Sequence, residues 1–240
     1  MSERIALVTG VSSGIGHALA TRLLESGWDV FGVSRRVPHD LIESGLRFCS
    51  IDLTDFAAAA VSLGNFLSDV SRIDLAILNA GVLGPIADLA DQSIDEMKRV
   101  MDANLWASKA VMDGLLPKGS ARSLGQVVMI SSGASVNGNR GWGGYSLSKA
   151  ALNMMARLYA AELPGTHVSA LAPGLVDTAM QEYLCTQPED SRFPSLQVLK
   201  SKRNTSDMPR PQDWAGRLIE VMATLPQRVD SGSFVDVRSL

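Results

Sequence analysis

The 240-residue chain has only two cysteines, Cys49 and Cys185. That is too few for a disulfide framework, and they lack the paired spacing of a metal knuckle. They read as ordinary thiols in a reducing compartment. His17, His39 and His167 share neither triad nor metal-ligand spacing, so no metal is expected. No apolar run approaches the ~20 residues that cross a bilayer. Met1-Ser2-Glu3-Arg4 passes straight into a short apolar stretch, without the layout of a signal peptide. A cytoplasmic protein with no membrane contact is expected. There is no excess of positive charge either. The formal net charge is −3, and Arg35-Arg36 is the one basic doublet near the N-terminus, which argues against a nucleic-acid surface. What the chain does have is 46% hydrophobic and 20% charged residues, a balance that supplies a sizeable core and excludes global disorder.

Short apolar runs alternate with helical patterns. Strands are expected at residues 5–8, 29–33, 46–51, 73–78, 127–130, 168–172 and 233–237. Between the first two, Gly14-Ile15-Gly16 opens a helical pattern with Leu19, Leu23 and Leu24 on one side, and Gly27 closes it. Further helices are expected over 55–70, over 93–116 behind a Ser93/Glu96 capping box, from Tyr145 to Ala161, and over 214–225. Strand-helix alternation at this spacing implies an α/β fold, a Rossmann-type doubly wound parallel sheet of about seven strands with helices on both faces. One domain spans 1–240. The polar, proline-containing stretch at about 180–211 interrupts the rhythm after a strand end and is expected to be a lid over the site.

In such sheets ligands bind beyond the carboxyl ends of the strands. Every polar cluster lies at one of those ends: Thr9-Gly10, Ser34-Arg35, Asp52, Asn79-Ala80-Gly81, Ser131-Ser132 and Pro173-Gly174. Gly10-Val11-Ser12-Ser13-Gly14-Ile15-Gly16 runs into a helix N-terminus, where free N–H groups and the helix dipole receive phosphate. After the second strand comes Ser34-Arg35-Arg36 with no carboxylate. That accommodates a 2′-phosphate and points to NADP(H). Tyr145 and Lys149 stand four apart, hence on one helix face. An ammonium beside a phenol lowers its pKa, and the pair can exchange a proton at a reacting oxygen.

These motifs, in order, resemble the short-chain dehydrogenase/reductase family over nearly the full length. Thr9-Gly10-x-x-x-Gly14-Ile15-Gly16 matches its cofactor motif, and Tyr145-x-x-x-Lys149 its signature, with Ser132 standing 13 residues earlier. The resemblance implies an adenine contact at Asp52-Leu53, support of the central strand by Asn79-Ala80-Gly81, and a nicotinamide border at Pro173-Gly174-Leu175-Val176-Asp177-Thr178. It also implies that Ser132 rather than Ser131 holds the carbonyl oxygen, that Lys149 holds the nicotinamide ribose, and that Asn104 holds a water linking Lys149 to solvent.

Within the family, Gly141-Trp142 before Gly143-Gly144-Tyr145, the run from Ala172 to Gln181, and Ser231-Gly232-Ser233-Phe234-Val235-Asp236 look like the branch of sepiapterin reductases and the related reductases of 1,2-diketones such as benzil. By that resemblance Asp236 anchors substrate. Val237-Arg238 stands where an aromatic pair is usual, and the glycine turn lacks an arginine that helps hold the 2′-phosphate. Trp142 and Met180, with Trp214, are candidate substrate walls. The expected activity is NADPH-dependent reduction of a vicinal dicarbonyl or a pterin-type ketone, with Tyr145 as proton donor. The alternatives are an NADP-dependent secondary-alcohol dehydrogenase and a non-catalytic NADP-binding sensor. Small residues on two helices (Ala150, Ala151, Ala160 and Ala161; Ala103, Ala107 and Ala110) suggest the family's four-helix pairing in a homodimer or homotetramer.

Overall fold

The computed structural model describes residues 4–240; Met1, Ser2 and Glu3, part of the expected leaderless start, lie outside the described residues. The chain runs β1 (Ile5–Thr9), α1 (Gly14–Glu25), β2 (Asp29–Ser34), α2 (His39–Glu43), β3 (Arg47–Ser50), α3 (Phe56–Phe66) and β4 (Arg72–Leu78). Then come α4 (Ile94–Met101), α5 (Ala107–Leu115), β5 (Ser123–Ile130), α6 (Gly143–Glu162) and β6 (His167–Ala172). The last elements are α7 (Ala179–Thr186), α8 (Pro194–Lys202), α9 (Pro211–Arg228) and β7 (Phe234–Asp236).

The seven strands form one sheet in the order β3-β2-β1-β4-β5-β6-β7, all pairs parallel. Alternate side chains leave opposite faces of a strand, and here both faces are covered, which is why the strands read as continuous apolar runs. Ala6, Val8, Leu75, Ile77, Val128 and Leu171 pack with α1 and α9 on one side. Leu7, Val33, Ala76, Leu78, Val127 and Met129 pack with α3, α5 and α6 on the other. Strand order reverses between β1 and β4, so a crevice opens at the carboxyl ends there. No helix among the described residues is long and apolar enough to cross a membrane.

The structure departs from the sequence expectations at several places, among them an additional helix α2 and a β5 that begins at Ser123. The helix over 93–116 keeps its Ser93/Glu96 capping box but is interrupted by a π-helical turn, Asp102–Trp106. The last helix starts three residues before Trp214, with Pro211 in its first turn, where a missing N–H costs nothing. The stretch after Met180, expected as a lid, carries α7 and α8, which fold over a small apolar cluster of Leu83, Trp142, Leu184, Phe193 and Leu196. Ala107 and Ala110 are not on the surface but in the core. Small residues also permit close approach inside the molecule, and α5 lies so near α3 that a Cβ on Gly114 would stand 2.8 Å from the Ala60 carbonyl oxygen. Exposed apolar residues of this side include Trp106, Leu147, Met154 and Leu158.

A buried arginine closes this layer. Arg122 donates to the carbonyls of Leu67 and Val70, after α3, and of Gly114 and Leu115, at the end of α5. It thus meets the negative ends of two helix dipoles with one cation. Replacing it with Met should lower the unfolding free energy by about 3 kcal/mol, the scale of charge-assisted hydrogen bonds lost with their acceptors left buried, as read by urea titration; an unchanged midpoint would contradict this account.

Candidate active site

A cleft of about 1510 Å³ crosses the carboxyl edge of the sheet, from Ser34 and Asp52 at one end to Trp142 and Met180 at the other. It gathers the strand-end clusters into one site. Thr9 ties two of them: its hydroxyl accepts from the backbone N–H groups of Asn79 (3.0 Å) and Ala80 (3.1 Å), and the Asn79 amide donates to the Thr9 carbonyl at 3.0 Å.

The glycine turn is built for close approach. Gly10 has φ +77°, and a Cβ on Gly16 would stand 2.4 Å from the Gly10 carbonyl oxygen, so only glycine fits there. Gly16 therefore packs behind the turn, while Gly10, Ser12, Ser13, Gly14 and Ile15 line the cleft. Ser13, the N-cap of α1, makes no side-chain cap bond, and the first turn of α1 carries no acidic residue. Its open N–H groups face where an anion would lie. Arg36 reaches across with Nη2 3.3 Å from the Ser13 hydroxyl, and Ser34 donates to the Arg36 carbonyl at 2.7 Å. Arg35, Leu53, Gly81, Pro173, Gly174, Val176 and Thr178 also line the cleft. Asp52 accepts from the Thr54 N–H and hydroxyl, which hold its carboxyl below the usual range. These residues fit a dinucleotide: a phosphate-sized turn without competing acid, followed by cations.

The central cluster stands at the end of β5 and the start of α6. Ser131 donates to Asn153 at 2.6 Å, away from Tyr145, while the Ser132 hydroxyl accepts from the Ala134 N–H at 3.1 Å and stands beside Tyr145. Lys149 is buried, and its ammonium donates to the Ile130 carbonyl at 2.7 Å and lies 5.9 Å from the centre of the Tyr145 ring. Burial brings its pKa from 10.5 down to about 8. Burial also pushes the Tyr145 phenol up, opposed in part by Ser132. The downward pull expected from Lys149 does not contribute in the resting site, and the phenol keeps its proton at neutral pH.

Three expected site residues do other work. Asn104 is fully buried: its Oδ1 accepts from the Val82 N–H (2.7 Å), and its Nδ2 donates to the Val82 carbonyl (2.9 Å) and to Ser148 (2.9 Å). The side chain ties the π turn to the loop after β4 and to α6, and does not line the cleft. Asp236 is held by Arg238 and lies behind the cleft wall, whereas Arg238 lines it. Trp214 donates to the Pro173 carbonyl at 2.8 Å and supports that turn from the core side. Trp142 and Met180 do line the cleft, and Trp142 also donates to Ser195 of α8 at 2.8 Å. Sequence reading missed Asn137, Asn139 and Arg238 on the cleft wall. Their one trace was the unusual Val237-Arg238 pair.

A model of the short chain dehydrogenases matches residues 4–189. The chain belongs to the short-chain dehydrogenase family. It is an oxidoreductase of a family that binds nicotinamide cofactors. A benzil reductase ((S)-benzoin forming) of Bacillus subtilis is 31% identical over 244 residues, covering 97% of each chain. One from Saccharomyces cerevisiae is 32% identical over 200 residues, covering 75% of this chain and 74% of that one. The crystal structure of a short-chain dehydrogenase/reductase from Saccharomyces cerevisiae superposes with a TM-score of 0.85 at 25% identity, over 98% of this chain and 96% of that one.

The buried ammonium of this short-chain dehydrogenase has a thermodynamic signature. A depressed lysine pKa means that the unfolded chain binds more protons between about pH 8 and 10.5, so stability rises with pH across that window. Unfolding of the cofactor-free protein should gain on the order of 3 kcal/mol relative to Lys149→Met between pH 7.5 and 10.5. Parallel stability profiles for the two proteins would refute the shift.

Proposed function

We propose that the protein is an NADPH-dependent carbonyl reductase acting on vicinal dicarbonyls. The observation that carries this reading is the Ser132–Tyr145–Lys149 cluster at one end of a cleft whose other end presents Arg35 and Arg36. The turn from Gly10 to Ile15 would hold the pyrophosphate, Arg35 and Arg36 the 2′-phosphate, Asp52 and Leu53 the adenine, and Pro173 to Thr178 the nicotinamide side. When bound, the nicotinamide supplies the hydride. Ser132 hydrogen-bonds the substrate oxygen as it gains charge, an interaction that strengthens toward the transition state. Tyr145 delivers its proton to that oxygen. Its raised pKa favours donation over loss at neutral pH, and the Lys149 ammonium offsets the charge left on the phenolate. Asn104 acts by position, fixing the loop from Asn79 to Val82 against α6. The likeness to benzil reductases supports a diketone over a pterin, since Asp236 is already engaged by Arg238.

The α7–α8 segment serves as the lid, its apolar underside walling the substrate end beside Trp142 and Met180. The exposed Trp106, Leu147, Met154 and Leu158 support pairing of the α4–α5 and α6 faces in a homodimer or homotetramer. With Cys49 and Cys185 unpaired, the cytoplasm is the compartment we assign.

The test is NADPH oxidation by the purified protein with benzil, butane-2,3-dione and sepiapterin. Benzil should turn over, and Tyr145→Phe should slow it by a factor of about 100 or more, the scale of a lost general acid. NADPH binding without turnover of any of the three would refute the dicarbonyl reading. Replacing Arg35 and Arg36 together by Ala should raise KM for NADPH about tenfold or more while leaving KM for NADH within twofold, as expected for charge-assisted contacts to a phosphate; equal effects on both would remove the 2′-phosphate assignment.

A further inference from the structure

Beyond β7 the chain turns so that the Arg238 side chain lies back across the strand ends. Its stem passes Gly174, where a Cβ would stand 3.8 Å from Cγ, and its head reaches Gly133, where a Cβ would stand 3.3 Å from Nη2. The Asn137 amide nitrogen is 4.0 Å from that same point over Gly133. Two side-chain donors therefore converge beside the residue that follows Ser132, and an Asp236 carboxylate oxygen stands 3.7 Å from the same point.

The guanidinium is held from behind. Asp236 accepts from Nε at 2.9 Å and from Nη2 at 2.6 Å, and also from the Arg238 backbone N–H at 3.0 Å. Holding the carboxyl charged lowers the Asp236 pKa and raises that of Arg238. This pairing occupies one edge of the guanidinium, Nε–H with one Nη2–H. The end-on edge, one N–H each from Nη1 and Nη2, has no hydrogen-bond partner among the described residues. The side chain is 57% exposed and lines the cleft with Asn137 and Asn139. The carboxylate beside that stretch of wall is Asp236, already engaged by Arg238.

An arginine fork fixed by an acid on one edge and open on the other matches a planar anion, and carboxylate is the planar anion it pairs with bidentately. We infer that Arg238 seats a carboxylate of the substrate, so that oxo acids with the carboxylate close to the reacting ketone are substrates of this site. This rests on the carbonyl-reductase reading and narrows it. The reaction stays balanced: the ketone carbon gains the hydride carried by the bound nicotinamide, its oxygen gains the proton of Tyr145, and the carboxylate leaves unchanged on a 2-hydroxy acid. Asp236 then acts as a positioning residue, and the same ion pair explains why it does not anchor an amino-pyrimidine.

The experiment compares benzoylformate with its methyl ester, one carbon skeleton with and without the charge. In the native protein with NADPH, benzoylformate should have the higher kcat/KM. Arg238→Met should lower the ratio of the two kcat/KM values at least about tenfold, chiefly through KM for the acid, the scale of a charge-assisted bidentate contact. Arg238→Gln retains one donor toward Asp236 and should lower the ratio likewise, which guards against a folding defect in the Met variant. An unchanged ratio in both variants overturns the inference. Binding of benzoylformate to Tyr145→Phe, followed by calorimetry, separates the two claims. Binding that needs Arg238, with no turnover by the native protein, upholds the carboxylate seat and overturns the reductase reading. Turnover of the ester with no Arg238-dependent binding of the acid does the reverse.

Discussion

The site depends on an ammonium group placed where ammonium is unwelcome. Lys149 sits in the first turns of α6 with its head against the end of β5, and the Ile130 carbonyl is its one hydrogen-bond partner among the described residues. Much of the surrounding construction keeps that head in place. The Asn104 amide and the Lys149 ammonium meet over Gly81, where a Cβ would stand 2.9 Å from one and 3.5 Å from the other. Ser148, the residue before Lys149, is itself held by Asn104. A cation so constrained keeps few protons to spare and little water, and the phenol beside it shares that dry surround. The two groups therefore shift in opposite directions, the base weakened and the acid weakened. Burial thus makes the ammonium the readier proton donor and the phenol the more reluctant one, and the Tyr145 proton becomes available only when charge develops nearby.

The sheet was legible because buried parallel strands are marked on both faces. Runs such as Ile77-Leu78 ending at Asn79 admit few other readings, and the polar strand ends then converge by topology alone. The glycine turn was legible for a local reason, since its geometry excludes any Cβ at Gly16. Roles that depend on what a side chain touches across the fold were not. Asn104 carries the same letter whether it holds a water or a backbone, and only the approach of Val82 decides. Asp236 and Arg238 are two apart at a strand end, and nothing in that spacing says which one faces the cleft. The alanines of α5 show the same limit. Small residues mark close approach, but not whether the approaching surface belongs to α3 or to another molecule.

The segment after Met180 was read from composition as a lid, and composition left its internal order open. Its polar, proline-containing letters are those of α7 and α8, two short helices that bury few apolar residues and leave Tyr183 and Val198 exposed. Leu184, Phe193 and Leu196 bury against Leu83 and Trp142, and Asp88 meets Arg140 and Arg192 at the rim. A satellite core of this size fixes the register of the two helices beside the cleft.

The π turn at Asp102–Trp106 has a consequence for phase. One residue more than an α-turn needs rotates everything downstream by about 100°, the angle of a single helical step. Counting from Val100, steps of three and four reach Asn104, Ala107, Val111 and Leu115, all buried, so the sequence keeps one helical period while the turn redirects that face in space. The extra residue acts as a gear between two directions of that face. It lets one continuous stretch of chain present α4 to the cleft loop and α5 to α3, and it sets Trp106, at the changeover, outward.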